Sequence, residues 1–446
     1  MTRNLRIALF SHDSLGLGHI RRNRALAFAL AKDLPALTGR LVSGLLIAGN
    51  PEAARFDLPD GWDWVILPGV TPAEGGYAPR ALASTMEKLS ALRAAAITAI
   101  LDQQRPELFI VDRHPFGIDG ELTEALDQMR AHGCRTVLGL REVLDTPAVI
   151  DAEWNRVGGP DTVAEAFDEV WIYGDPNVYD PRETGEVPPR LAAMAQSTGY
   201  LSQCRPAHSL PADDLAAHSL PADDRADFAV PAALESGRFV LTCLGGGSDG
   251  GALARIAVEA AAPAGHSHLV ITGPQMDIAE AEALQRDADE STIVIRHSDD
   301  VPGLIARAEA VVCMGGYNTL AEVMATDTPA LVIPRRGHRA EQPRRAFALA
   351  AAGAVDALCL DEANAAALSD WFGRQTESSI DRTHLDLSGL STVPRLAADL
   401  LASDRSDVDA AGTIGVAGAV DATRTQLVEN SLAPVVPALE ETRHAV

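Results

Sequence analysis

Aromatic residues make up only 4% of the 446 residues, and there are just five cysteines. No apolar run approaches the roughly 20 residues that a membrane-crossing helix needs. Basic residues are also scarce: 37 Lys and Arg face 62 Asp and Glu, for a formal net charge of -25. That balance argues against nucleic acid or an anionic membrane as partner, because both are held by clustered Lys and Arg. Peripheral membrane contact by other means stays open. Long-range steering of an anionic substrate is excluded too, so a phosphate site must rest on backbone N–H groups at helix N-termini and a few placed cations. Cys134, Cys204, Cys243, Cys313 and Cys359 are scattered singly without a CxxC pair, and Cys243 and Cys313 sit inside apolar runs. Reduced, inert thiols in a cytoplasmic protein are the expectation. Met1 to Arg6 leads directly into a short strand-like run, with no long apolar segment or small-residue cleavage site, so no signal peptide is expected.

What is present is a globular composition, 47% hydrophobic and rich in Ala, in a chain longer than one core usually organises. Short apolar runs at Arg6 to Phe10, Leu45 to Ala48, Trp64 to Leu67, Leu108 to Val111, Thr136 to Leu140 and Val170 to Tyr173 alternate with helical segments, one through Arg24 to Lys32. This rhythm predicts a mostly parallel sheet covered by helices over residues 1–204. A Pro- and Asp-rich decapeptide then occurs twice, at 205–214 and 215–224, and residues 205–237 read as an exposed linker. The rhythm resumes at Phe239 to Leu244, His268 to Thr272, Thr292 to Ile295, Ala310 to Met314 and Ala330 to Pro334, which predicts a second α/β domain over 238–402. Residues 403–446 lack strong periodicity and read as a disordered or loosely docked tail.

In open parallel sheets, ligands bind beyond the carboxyl ends of the strands. Three loops of the second half have suitable chemistry. Gly245, Gly246, Gly247 and Ser248 follow a strand and open a helix, so bare amides and a hydroxyl can meet a phosphate; a plain flexible turn is the alternative. Gly315 and Gly316 break the next strand, and Asn318 is placed to cap the following helix. Asn318, Thr319 and Glu322 share one side of its first turns, where a carboxylate can accept from both ribose hydroxyls. Taken alone, Glu322 reads first as a complement to the helix dipole, worth about 0.3–1 kcal/mol, and only second as a ribose ligand. The third loop, Ile333 to Gln342, ends in Glu341 and Gln342, which can together recognise sugar hydroxyls.

In the first half, Gly16, Gly18, His19 and Arg22 follow the first strand as GxGHxxR. A dinucleotide fingerprint fits poorly, since Arg21 replaces its third glycine and no acidic residue follows at the expected place. Positive helix-end potential disfavours imidazolium, leaving neutral His19 able to take a proton from a hydroxyl or water, unless it only caps or packs. Asp112 and His114 end one later strand, and Arg141 and Glu142 another. Asp112 or Glu142 can act as an alternative base or orient an acceptor. Arg141 can pair with an anionic acceptor or phosphate, or Arg141 and Glu142 can simply pair with each other or with neighbours.

The ordered combination of GGGS at Gly245 to Ser248, GGYNTLAE at Gly315 to Glu322, PAL-x-x-P at Pro329 to Pro334 and EQ at Glu341-Gln342 resembles the donor domain of GT-B glycosyltransferases related to the lipid-linked peptidoglycan N-acetylglucosaminyltransferase. The GxGH loop resembles that family's acceptor-side loop, and also that of a nucleotide-sugar hydrolase of pseudaminic acid synthesis. Together with Tyr173 to Pro176, the N-terminal clusters resemble a bacterial branch of predicted glycosyltransferases. The resemblance implies two Rossmann-like, doubly wound parallel-sheet domains facing each other across a cleft. It implies further that Gly246, Gly247 and Ser248 meet a diphosphate, Glu322 the ribose, Glu341 and Gln342 the donor sugar, and the backbone around His297 the nucleobase. The expected activity is hexosyl transfer from a nucleotide diphosphate sugar, a UDP-sugar, to an unidentified acceptor. His19 is the favoured base, and the nucleotide sugar is a substrate, with no cofactor. No metal is expected: the D-x-D matches at Asp287/Asp289 and Asp407/Asp409 do not end apolar strands, and helix N-termini can carry the leaving charge. A nucleotide-sugar hydrolase or 2-epimerase, and a non-catalytic nucleotide-sugar-binding protein, are the competing readings.

Overall fold

A computed structural model describes residues 4–12, 17–73, 76–202, 237–298, 300–337 and 339–403. The duplicated decapeptide and the tail beyond Ser403 lie outside the described residues, as does Gly16.

The first half begins with β1 (Leu5–Phe10), α1 (Gly18–Thr38), β2 (Val42–Ala48) and β3 (Trp62–Ile66), followed by the hairpin strands β4 (Val70–Ala73) and β5 (Gly76–Pro79). It continues with α2 (Met86–Gln104), β6 (Leu108–Asp112), α3 (Thr123–Ala131), β7 (Arg135–Arg141), α4 (Pro147–Arg156), α5 (Gly159–Ala166), β8 (Glu169–Tyr173), α6 (Pro189–Ala192) and β9 (Ala195–Ser197). Seven of these strands form a parallel sheet in the order β3-β2-β1-β6-β7-β8-β9, while β4 and β5 pair antiparallel apart from it. The second half runs β10 (Phe239–Cys243), α7 (Gly251–Glu259), β11 (Ser267–Ile271), α8 (Ile278–Asp287), β12 (Thr292–Ile295), α9 (Val301–Arg307), β13 (Val311–Cys313), α10 (Tyr317–Met324), β14 (Ala330–Val332), α11 (Glu341–Ala351), β15 (Asp356–Ala357), α12 (Ala365–Gln375) and α13 (Gly389–Ala402). Its sheet is parallel in the order β12-β11-β10-β13-β14-β15. In both sheets the chain winds outward from a central first strand and then reverses, and loops diverge at the carboxyl ends on either side of that switch point.

Burial explains why these runs are strands. Every residue of β6 and of β10 is buried, as expected of parallel strands covered on both faces by helices, so their sequences read as continuous apolar runs without alternation. The apolar runs expected from sequence fall on β1, β2, β3, β6, β7, β8, β10, β11, β12, β13 and β14. The hairpin and the short edge strands β9 and β15 carried too few apolar residues to stand out.

The halves are not separate globules. One apolar cluster runs from Leu5, Leu26 and Trp171 in the first sheet and its helices to Phe239, Leu320 and Val393. It is continuous because α13, which follows the second sheet in sequence, packs on α1. The segment before α13 is tied back as well: the Tyr200 amide donates to the Asp386 carbonyl at 2.8 Å, and the Gly389 amide to the Tyr200 carbonyl at 3.1 Å. The stretch 238–402 therefore ends on a helix that belongs by packing to the first half.

Candidate functional site

The first half brings three loop ends together: Ser11 and His12 after β1, the first turn of α1, and Asp112 to His114 at the end of β6. His19 Nδ1 lies 2.7 Å from Asp112 Oδ2, and the guanidinium of Arg22, one turn further along α1, donates to both carboxylate oxygens at 2.6 and 2.8 Å. The His19 side chain is 13% exposed, those of Asp112 and Arg22 only 1% and 2%. Burial alone raises the Asp112 carboxyl, but the Arg22 guanidinium and His19 override it and hold the group well below the usual carboxylate range. For His19, burial outweighs the pull of Asp112, and the Arg22 and Arg141 charges add to the lowering, so the ring is neutral near pH 7. Nδ1 faces both Asp112 Oδ2 and, at 2.9 Å, Arg22 Nη2; in the tautomer that places the proton on Nδ1, against the carboxylate, Nε2 carries the lone pair. The neutrality thus comes chiefly from burial, with the two guanidinium groups adding to it.

Asp112 corrects one expectation. A carboxylate held so firmly ionised, and turned to Arg22 and His19, has little proton affinity to offer as a base and is placed to hold the imidazole instead. Glu142 corrects another. It is fully buried and accepts from Arg345 Nε of α11 at 2.7 Å, so it is committed to an ion pair between the halves rather than left open as a base. Nor do Arg141 and Glu142 pair with each other: Arg141 Nη2 meets Glu341 Oε2 at 2.7 Å.

His114 and the unforeseen His12 and Tyr77 form the wall beside His19. The His12 and His114 rings lie 3.8 Å apart between centroids, and His12 Nε2 is 3.1 Å from the Tyr77 hydroxyl on β5. Burial, reinforced by mutual repulsion among the imidazoles and by Arg113, pushes His12 and His114 well below the ordinary histidine value. Arg113 donates to Glu153 at 2.6 Å, and Arg339 from the second half donates to the same carboxylate at 2.6 Å. His12 stood next to the glycine motif but carried no spacing signal, and Tyr77 lies on a hairpin that sequence pattern did not reveal.

Across the cleft, the loop after β10 is shaped by glycine. Gly247 has φ +90°, and a Cβ there would stand 2.3 Å from the Thr272 carbonyl oxygen, so only glycine can occupy it. Ser248 is exposed at its rim and Gly250 caps α7. Asp249 meets Arg335 at 2.5 Å. In the next loop Gly315 packs against Gln342, where a Cβ would approach to 2.9 Å. Gly316 is the N-cap of α10 without a side-chain cap, and Asn318 does not cap that helix. Its amide instead donates to the Gly18 carbonyl at 3.0 Å, a bond to the first half that outcompetes the local one. Thr319 and Glu322 follow on α10, both half-buried, and His297 lies half-buried between β12 and α9.

Glu341 is held by Arg141 and, at 3.3 Å, by Arg335; burial raises its carboxyl, but these guanidinium groups and that of Arg345 bring it to about 2. Gln342 accepts from the Arg335 amide at 3.2 Å. Neither side chain stands idle. Tyr317, which no spacing along the chain singles out, is buried beside two cations: Arg22 lies 5.8 Å and Arg345 5.7 Å from its ring centroid. Its hydroxyl accepts from the Leu201 amide at 3.0 Å.

The arrangement offers a buried imidazole paired with a carboxylate on one wall and glycine-loop amides with helix N-termini on the other. Among the described residues no group of three or more His, Cys, Asp and Glu side chains is arranged to hold a metal ion, and no helix is long and apolar enough to cross a membrane.

Residues 241–370 match the glycosyltransferase family 28 C-terminal domain, the span that holds all three loops of the second half. Among solved structures, the spinosyn forosaminyltransferase SpnP aligns at 15% identity over 90% of this chain and 100% of its own, with a TM-score of 0.54. The glycosyltransferase SnogD from Streptomyces nogalater aligns at 16% identity over 92% and 98%, with a TM-score of 0.50. UDP-GlcNAc 2-epimerase from Neisseria meningitidis bound to UDP-GlcNAc aligns at 11% identity over 90% and 99%, with a TM-score of 0.53. These likenesses show the fold: two Rossmann-like domains in the GT-B arrangement. No curated protein sequence matches significantly.

Proposed function

We propose that the chain is a glycosyltransferase that moves a hexosyl unit from a UDP-sugar, held by the second half, to an acceptor hydroxyl brought to His19. The observation that carries this reading is the His19–Asp112 contact of 2.7 Å, set where the first half meets the loops of a family 28 C-terminal domain. His19 Nε2 takes the acceptor proton as its oxygen bonds to the sugar's anomeric carbon. The bond from that carbon to the diphosphate breaks, and its electron pair leaves on UDP. Asp112 steadies the imidazolium so formed. The amides of Gly246 and Gly247 and the start of α7 meet the developing phosphate charge, so no divalent ion is required. Glu322 takes the ribose hydroxyls, and the Glu341–Gln342 pair takes the sugar.

The test combines binding with turnover. Glu322→Ala should weaken UDP binding at least tenfold by calorimetry; unchanged affinity removes the donor-site assignment. Wild type, given UDP-sugars and a cell extract as the source of acceptor, should yield a glycosylated product by mass spectrometry, in EDTA as in its absence. Stoichiometric free sugar without acceptor would place the chain with hydrolases instead, and a changed sugar on UDP with epimerases.

A further inference from the structure

We infer that Arg22 is a positioning residue that couples the seating of the donor-half helix α10 to the His19–Asp112 base, through its stacking on Tyr317 and the neighbouring Asn318–Gly18 bond. This rests on the reading of His19 as the base. The Arg22 guanidinium faces both parts of the site, and its Nη2 also lies 2.9 Å from His19 Nδ1. Its guanidinium donates to Asp112 at 2.6 and 2.8 Å, and its Cζ stands 5.8 Å from the centre of the Tyr317 ring. One residue on from Tyr317, the Asn318 amide donates to the Gly18 carbonyl, the residue that precedes His19. A shift of α10 is therefore felt at both sides of the imidazole: through the helix turn that carries His19, and through the cation that fixes its carboxylate partner. Tyr317 opens α10, immediately after the Gly315-Gly316 break that faces the donor, so the same helix that meets a nucleotide carries the contact to the base. Arg345, itself bonded to Glu142 and to the Gly315 carbonyl, also stands 5.7 Å from the Tyr317 ring centre, so the start of α10 is tied to charged groups of both halves.

The groups that face His19 are Asp112 from the end of β6, Arg22 from α1 itself, Arg141 from β7, and the rings of His12 and His114. Of the cations among them, Arg22 alone touches both the dyad and α10, which makes its removal readable at His19.

The experiment uses the full chain with ring-15N-labelled histidine, titrated by NMR with and without UDP. In wild type UDP should shift the His19 titration midpoint. Arg22→Met should raise that midpoint by about one unit, a tenfold gain in proton affinity, because a positive neighbour is lost, and should abolish the response to UDP. The acid limb of kcat/KM should move with it, while the KM for the UDP-sugar changes less than kcat. Arg22→Lys keeps the charge without the planar stacking fork, so its midpoint should stay near that of wild type while its UDP response weakens. Tyr317→Leu should lose the response and Tyr317→Phe keep it. An unchanged midpoint in Arg22→Met, or a wild-type UDP response in Tyr317→Leu or Arg22→Lys, overturns the coupling. Persistent transfer by His19→Ala overturns instead the base reading on which it rests, and the two failures are separately visible.

Discussion

Arg345 of α11 donates from Nε to the carboxylate of Glu142 at 2.7 Å, joining the second half of the chain to the end of β7 where both side chains are out of solvent. A second guanidinium nitrogen donates to the Gly315 carbonyl at 2.9 Å. Replacing Arg345 by Met leaves a buried carboxylate without its counter-charge, which should cost about 3–5 kcal/mol in urea unfolding. The double replacement Glu142→Met with Arg345→Met removes both charges and should recover much of that loss. A small single-variant effect would mean that the pair is open to water in solution.

Asp112 acts through His19. Asp112→Asn keeps the shape but removes the charge that fixes the imidazole proton on Nδ1, and transfer should fall by roughly 10²- to 10⁴-fold, the span that a positioned base contributes. UDP affinity should change little, because Asp112 lies on the other wall of the cleft. Steady-state turnover beside UDP calorimetry separates the two.

The direction of the His19 shift sets a pH dependence. The base is the neutral ring, and burial with Arg22 and Arg141 lowers its proton affinity from the ordinary 6.5. Activity should therefore persist below pH 6.5 and fall only when the pH passes the lowered folded value. A kcat/KM profile with its acid limb above 6.5 would contradict the assignment.

His12 and His114 carry a stability counterpart. Both are pushed well below 6.5 in the folded chain, first by burial, so the unfolded chain binds protons that the folded one refuses. Their contribution is complete above pH 6.5 and declines as the pH falls below it. Unfolding free energies at pH 7.5 and 5.5 should differ in that sense, and His12→Gln should flatten the slope. Glu341, lowered from 4.5 to about 2, does not confuse the measurement, since its own loss of stability begins only near pH 4.5.

Gly247→Ala forces a side chain into a left-handed backbone, at about 1–2 kcal/mol for the conformation alone, and drives its Cβ onto the Thr272 carbonyl. The loop must open, and UDP affinity should drop tenfold or more by calorimetry. Wild-type affinity would mean that this loop does not hold the diphosphate.

Glycine placement and apolar runs are local properties, which is why β1, β6, β10 and β13 and the loops after β1, β10 and β13 could be read from residues alone. Asn318 shows where local reading stops: its type and position suit a helix cap, yet its amide is spent on Gly18, 300 residues away. Glu142 shows the same for charge, since no spacing on β7 announces a partner 203 residues later on α11.

Local pattern alone dictates that two rounds of strand and helix build two parallel sheets, and that glycine-rich turns and helix starts gather at their carboxyl ends. Periodicity, burial on both faces and glycine's freedom act over a few residues, so they are written where they act. Which polar groups work as a unit is settled by the folded chain. Asp112 became the partner of His19 and Arg22 across 93 and 90 residues, and Glu142 became a tie between the halves. Nor did the sequence place Tyr317 beside two guanidinium groups. Such roles depend on hydrogen-bond distances between strand ends and helix starts brought together by the sheets, and spacing along the chain carries no record of those distances.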